Sequence, residues 1–419
     1  MNDVGALFRR YKEKYIRNYR PLKHEIKFIK DVSKCKTPAM GGTVIKCKSC
    51  HHKTYLYKSC GNSQCPKCQS IKRMQWQDKL ASKMLKCPYQ HIIFTIPHEL
   101  NSIARSQPKL VYSVLFKSAW QTIEQLAKDE TNLGGKPGMT AVLHTFGSDL
   151  KHHIHLHTLV TFGGLGKDGK WHWPKRKNKI APYRKMSSLF KVSFIKELEK
   201  QLAMKDLEYY QSNKSQIDSI RGVRWCVHNT PPTAHTKIIE EYLGRYVCRV
   251  GVSKNKLKYD EKQNQVTLIY NDYKNQKINE VAPKAIKTID PLVAMHQIMI
   301  HVLPPNFQKV RTYGIMTKNQ LGKIKSEIPA LVKENKHTIR TLFQILKALL
   351  KLGEEDKIKC PQCGSEESEL EEPLKPDAEW YNKNVGRGYK NKSPTSTLKI
   401  SFNQQIPPKE RVPLLFKVS

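Results

Sequence analysis

Apolar positions along the chain alternate between a spacing of two and a spacing of three to four residues, and the switches mark out a mixed fold. Residues 1 to about 30 interleave Arg9, Arg10, Lys12, Lys14, Arg17, Arg20 and Lys23 with Phe8, Tyr11, Tyr15, Tyr19 and Ile26, a basic helical segment broken near Pro21. A helix is expected over residues 70–84 (Ile71, Met74, Trp76, Leu80), and a β-branched and aromatic strand over 89–97, stopped by Pro97. A helix over 108–128 follows, then two strands at 139–146 and 154–162 that read as antiparallel neighbours. A glycine-rich turn leads to a helix at 187–204, a short strand at 222–227 and a helix at 236–247. The order β-α-β-β-α-β-α is an α+β pattern. Beyond it the sequence predicts a hairpin around 266–270, a buried helix within 291–317 and a helix at 338–350 ended by Gly353. From Pro373 onward a Lys-, Asn- and Pro-rich tail is expected to be disordered.

Composition narrows the function. Lys and Arg number 74 against 36 Asp and Glu, a formal +38 over 419 residues. Basic residues at that excess displace the counterions condensed on a polyanion, so a nucleic acid is the expected partner. No run of about 18 uncharged apolar residues occurs, which excludes a membrane-spanning helix. The first residues show no basic region followed by an apolar one, so the expectation is a cytoplasmic, nucleoid-associated protein with reduced thiols.

Six of the eleven cysteines, Cys35, Cys47, Cys50, Cys60, Cys65 and Cys68, fall within 34 residues. Reduced, clustered cysteines point to metal rather than to disulfides. Cys47/Cys50 and Cys65/Cys68 are two C-x-x-C knuckles with 14 residues between them, a spacing that predicts one tetrahedral structural Zn2+ held by four thiolates. Cys35 and Cys60 stay unassigned and, with His51 or His52, could join a second site, and Cys360/Cys363 form half of a ribbon whose role is open.

The run His152-His153-Ile154-His155-Leu156-His157 opens an interior strand, and alternation puts His153, His155 and His157 on one face. Imidazoles two residues apart can share a cation, Mg2+ or Mn2+ being expected. Tyr242 and Tyr246 are spaced i and i+4 on the expected 236–247 helix, beside the basic flanks Arg245 and Arg249 as DNA contacts. A phenol with a pKa of about 10 is a weak nucleophile. Against a phosphodiester polarised by a divalent cation it can attack phosphorus and leave a 5′-phosphotyrosine with a free 3′-OH.

The motifs, taken in order, resemble the two-tyrosine HUH (His-hydrophobic-His) rolling-circle transposases of bacterial insertion sequences. The resemblance covers most of residues 30–317 and rests on Ser59-Cys60-Gly61-Asn62-Ser63-Gln64-Cys65-Pro66-Lys67-Cys68, His91-Ile92-Ile93-Phe94-Thr95-Ile96-Pro97, Leu143-His144-Thr145-Phe146-Gly147, His153-Ile154-His155-Leu156-His157-Thr158, Tyr242-Leu243-Gly244-Arg245-Tyr246 and Val310-Arg311-Thr312-Tyr313-Gly314. It implies an antiparallel-sheet, ferredoxin-like HUH nuclease core preceded by a small zinc-ribbon-like domain. Under it, His155 and His157 hold the metal, with His144 or His153 as third ligand, and Tyr242 and Tyr246 cut and rejoin single-stranded DNA at the element ends. The expected division is 1–30 basic helices, 31–86 zinc-binding DNA recognition, 87–317 HUH endonuclease, 318–372 a helical region with Cys360/Cys363, and 373–419 the tail.

A rolling-circle replication initiator would use the same chemistry at an origin, and a non-catalytic zinc DNA-binding protein would use none of it. The stretch Gly164-Leu165-Gly166-Lys167-Asp168-Gly169-Lys170 imitates a phosphate-binding loop, but Trp171 stands where Ser or Thr must hold Mg2+, so no nucleotide cofactor is expected.

Overall fold

The computed structural model describes residues 4–234, 256–273, 275–276, 280–331 and 359–385. Two compact units divide the chain, the first drawn from Met1–Gln75, Val252–Met299 and Arg340–Ser419, the second from Trp76–Gly251 and Ile300–Ile339. The expected helices at 236–247 and 338–350, and with them Tyr242, Arg245, Tyr246 and Arg249, lie outside the described residues.

In the first unit the N-terminal basic stretch forms two helices, Val4–Tyr19 and Lys23–Lys34, with the break at Arg20 and Pro21. Leu7, Phe8, Ile29 and Val32 are buried between them, and Phe8 meets Phe28 edge-on at 5.9 Å. The first helix also packs on a later part of the unit, where Tyr15 Oη lies 3.2 Å from His296 Nδ1 on the helix Pro291–Met299. A three-stranded meander, β9 (Leu257–Asp260), β10 (Gln265–Asn271) and β11 (Lys284–Ile289), extends the expected hairpin by one strand.

A second small sheet has the order β13-β1-β2, with β1 Gly42–Cys47, β2 Lys53–Tyr57 and β13 Ser368–Leu370. Residues 373–385 depart from the expected disorder. Asp377 caps the helix Ala378–Asn384 by accepting the Trp380 N–H at 2.8 Å, and Tyr381 and Val385 bury against Ala39. A capping carboxylate and two apolar anchors outweigh the polar composition around them.

The second unit is built on a five-stranded antiparallel sheet of order β12-β4-β5-β3-β8. Its strands are β3 Tyr89–Thr95, β4 Gly138–Phe146, β5 His152–Thr161, β8 Cys226–Asn229 and β12 Val310–Gly314. Ile92, Phe94, Ala141, Leu143, Ile154 and Leu156 point to one face. There they meet the helices Pro108–Lys128 and Tyr183–Lys205 through Leu115, Phe116, Phe190 and Phe194. Each such side chain contributes about 1.5–3 kcal/mol on burial. Two helices on one face of an antiparallel sheet give the expected α+β core.

The opposite face is divided. Tyr89, Val142 and Leu159 are covered by an apolar cluster that includes Leu80, Met84, Leu321 and Ile324. Farther along, the same face carries histidines. The glycine-rich turn makes a two-residue ladder between β6 (Gly164–Leu165) and β7 (Trp171–His172). Trp171 there pairs with Leu165.

Gly314 ends β12 with a positive φ of 57°, and a Cβ there would collide with the Pro137 carbonyl oxygen and the Trp120 ring. Gly314→Ala is expected to destabilise the protein by at least about 2 kcal/mol, read as a lowered midpoint in denaturant unfolding; an unchanged midpoint would contradict this packing.

Candidate metal centre

Strand β5 is buried on both faces from Ile154 onward, with Ile154 and Leu156 towards the helices and His155 and His157 away from them. Its pairing with β4 sets His144 opposite His155 and Val142 opposite His157, with a register shift between His144 and Phe146. Such a bulge re-aims the side chains beside it. The result is a group of three buried histidines, His144, His155 and His157, whose ring nitrogens all lie within 4.8 Å of one another.

Each ring of the β5 pair is oriented by a second contact. His155 Nδ1 is 2.9 Å from the His153 carbonyl oxygen, which fixes the proton on Nδ1 and leaves Nε2 as a bare donor atom. His157 Nδ1 is 3.1 Å from His91 Nε2 on β3. Burial pushes His91 down to about 3, so at neutral pH it is an uncharged partner able to accept that N–H. The two Nε2 atoms of His155 and His157 then face each other at 3.1 Å. Two imidazoles that share a cation with metal–nitrogen bonds of about 2.0–2.1 Å sit about 3 Å apart, so the donor set fits a divalent ion.

His153 has its ring centroid 4.8 Å from that of His155, but its side chain is exposed and outside the converging group. Of the two candidates for a third ligand, the fold therefore brings His144 to the pair. His91 was not singled out as a site residue from the sequence. Its signal lies in register, since β3 pairs Ile93 with His157 and so places His91 diagonally beside that ring.

The cysteines assemble differently from the expectation of one centre. Cys65 and Cys68 gather with Cys35 and Cys60, and Cys47 and Cys50 gather with Cys360 and Cys363. The two knuckles are not brought together because β1 and β2 carry them away from each other: Cys47 ends β1, whereas Cys65 follows the loop after β2. In the first group Cys35 follows the helix Lys23–Lys34, and buried Asp31 accepts the Asn62 side-chain N–H at 3.0 Å, which ties the loop of Cys60 to that helix. Cys60 and Cys68 sulfurs lie 3.8 Å apart, close to the separation of about 3.8 Å required by Zn–S bonds of about 2.3 Å in a tetrahedron. The neighbouring Cys35 sulfur drives Cys60 and Cys65 strongly upward and Cys68 strongly downward, as expected where four thiols crowd together and only a cation lets all of them ionise.

Comparison with known proteins accords with the cysteine-rich zinc domain. Residues 138–322 match a family described as "Putative transposase", and residues 7–96 match one described as "Transposase zinc-binding domain". The class is thus a DNA-processing enzyme with a structural zinc domain and a DNA partner. The chain is 32% identical over 324 residues to "Putative transposase y4qJ" of Sinorhizobium fredii (strain NBRC 101917 / NGR234), covering 75% of this chain and 80% of that one. It is 25% identical over 309 residues to "Transposase for insertion sequence element IS801" of Pseudomonas savastanoi pv. phaseolicola, covering 71% and 72%. The chain belongs to the insertion-sequence transposases of the IS91/IS801 family. No solved structure matches it, and among the described residues no helix is long and apolar enough to cross a membrane.

If His91 orients His157, then His91→Ala weakens Mn2+ binding about 10- to 100-fold. Titration of Mn2+ followed by its paramagnetic resonance signal measures this, and wild-type affinity would contradict the orienting contact. Cys65→Ser with Cys68→Ser is expected to remove about one zinc per chain by elemental analysis.

Proposed function

We propose that this transposase nicks and rejoins single-stranded DNA at the ends of its element by tyrosine attack, in the cytoplasm on nucleoid DNA. The observation that carries this reading is the convergence of His144, His155 and His157 on one face of the sheet. These three residues would hold Mg2+ or Mn2+, and that ion, when bound, polarises a non-bridging oxygen of the scissile phosphate.

The remaining chemistry belongs to the chain. The phenolic oxygen of Tyr242 or Tyr246 gives up its proton and bonds to phosphorus. The P–O3′ bond breaks, and O3′ takes a proton to become a free 3′-OH. The tyrosine then carries the 5′-phosphate with no loss of phosphodiester energy, and attack by a 3′-OH in the reverse sense breaks the P–O bond to tyrosine and reseals a strand. Two tyrosines four positions apart in the sequence, on the expected helix, would let a second strand be cut before the first link is resolved. Arg245 and Arg249 would neutralise the phosphates that flank the scissile one. The +38 charge supports a nucleic-acid substrate, and the double- or single-stranded character of the bound DNA belongs to this proposal.

Tyr242→Phe and Tyr246→Phe are each expected to reduce covalent attachment to a labelled single-stranded oligonucleotide from the element end, and together to abolish it on a denaturing gel; undiminished adducts from the double variant would eliminate the assignment. His155→Ala with His157→Ala is expected to keep DNA binding and lose Mg2+- or Mn2+-dependent cleavage, and equal cleavage in chelator would refute the metal role.

A further inference from the structure

The first half of the C-terminal pair, Cys360, lies 310 positions from Cys50, yet their sulfurs are 3.6 Å apart, and Cys47 and Cys363 repeat that separation at 3.6 Å across 316 positions. The four sulfurs lie within 4.8 Å of one another. All four residues belong to the first unit.

The two C-x-x-C turns have the same backbone geometry. His51 donates its N–H to the Cys47 carbonyl at 3.0 Å, and Gly364 donates to the Cys360 carbonyl at 2.9 Å. Cys47 donates to the His52 carbonyl at 2.9 Å, and Cys360 to the Ser365 carbonyl at 2.8 Å. The residue after each second cysteine takes a positive φ, 57° at His51 and 76° at Gly364. Within each turn the N–H of the second cysteine points at the sulfur of the first. Ser49 and Ser365 hydroxyls meet across the pair at 2.8 Å. Two like turns facing each other through four sulfurs are the geometry in which a tetrahedral thiolate site is closed from both sides. Next to them β13 lies antiparallel on β1 with Cys47 opposite Ser368, and Lys46 and Lys53 lie 3.6 and 2.9 Å from Glu369 and Glu371.

We propose that Cys47, Cys50, Cys360 and Cys363 bind a second structural Zn2+, distinct from that of Cys35, Cys60, Cys65 and Cys68, which clasps the segment 359–385 to the N-terminal β1–β2 hairpin. Half of its ligands lie far outside residues 7–96, the span of the zinc-domain match. The site closes with four thiolates and leaves no coordination position for chemistry, so its role is architectural. It is independent of the strand-transfer reading, and a protein without nuclease activity would still show it.

The test counts zinc in the full chain purified under reductant, in a His144→Ala, His155→Ala background so that the imidazole group contributes none. Two zinc ions per chain are expected, falling to one when Cys360→Ser and Cys363→Ser are added. One ion per chain before that addition, or two after it, would overturn the proposal. Should the added substitutions prevent folding, alkylation of the unsubstituted chain decides the matter. Cys363 and Cys226 are both exposed, so both thiols are open to the reagent when unliganded. Protection of Cys363 but not Cys226, lost on zinc removal, is the expected result, and equal labelling of the two would refute the clasp.

Discussion

The antiparallel pairing of β4 with β5, in the register that opposes His144 and His155, is the constraint on which the candidate site rests. Because side chains alternate across a sheet, a slip of one residue would send His155 and His157 into the helix-covered face and expose Ile154 and Leu156. The register is held by what lies on the other side. Ile154, Leu156 and Leu143 are buried against Phe116, Phe190 and Phe194, and the loss of those contacts in any shifted pairing is far larger than the interactions among the histidines themselves. The hydrophobic face thus brings the polar one together, and the His153 carbonyl and His91 then orient the rings it has gathered.

Much of this was legible in the chain because the signals are local. Alternation over 154–160 fixes which histidines share a face, and the apolar spacing of Leu110, Val114, Leu115, Ile123 and Leu126 marks the helix that covers the other. What was not legible depends on distant partners. The C-x-x-C spacing announces a zinc ligand pair but carries no information about which other pair completes it, so Cys47/Cys50 and Cys65/Cys68 read as one centre when each has its partners elsewhere, in Cys360/Cys363 and Cys35/Cys60. His91 looks like any strand residue in the sequence, since its contact with His157 follows from inter-strand register. The order of residues 373–385 was hidden by composition, where a single cap at Asp377 and the buried Tyr381 decide the outcome.

The charge of the chain adds a second constraint. With 74 basic and 36 acidic residues, most Lys and Arg side chains cannot find a carboxylate, and the ion pairs that do form are largely exposed ones, such as Lys214 with Asp218, that contribute about 0–1 kcal/mol each. Repulsion at this level is relieved when phosphates replace dissolved counterions, so the apo chain is electrostatically prepared for its substrate. A strong dependence of DNA affinity on salt is inherent in such a surface.

The attachment of β13 to β1 also bears on how the protein is made. On the ribosome β1 is complete long before Ser368–Leu370 emerges, so through most of synthesis one side of this strand offers unpaired amides to any neighbouring nascent chain. Lys46 and Lys53 stand along that hairpin, and their like charges discourage self-association until Glu369 and Glu371 arrive to neutralise them. The same two lysines therefore guard the sheet during translation and are neutralised once it is complete.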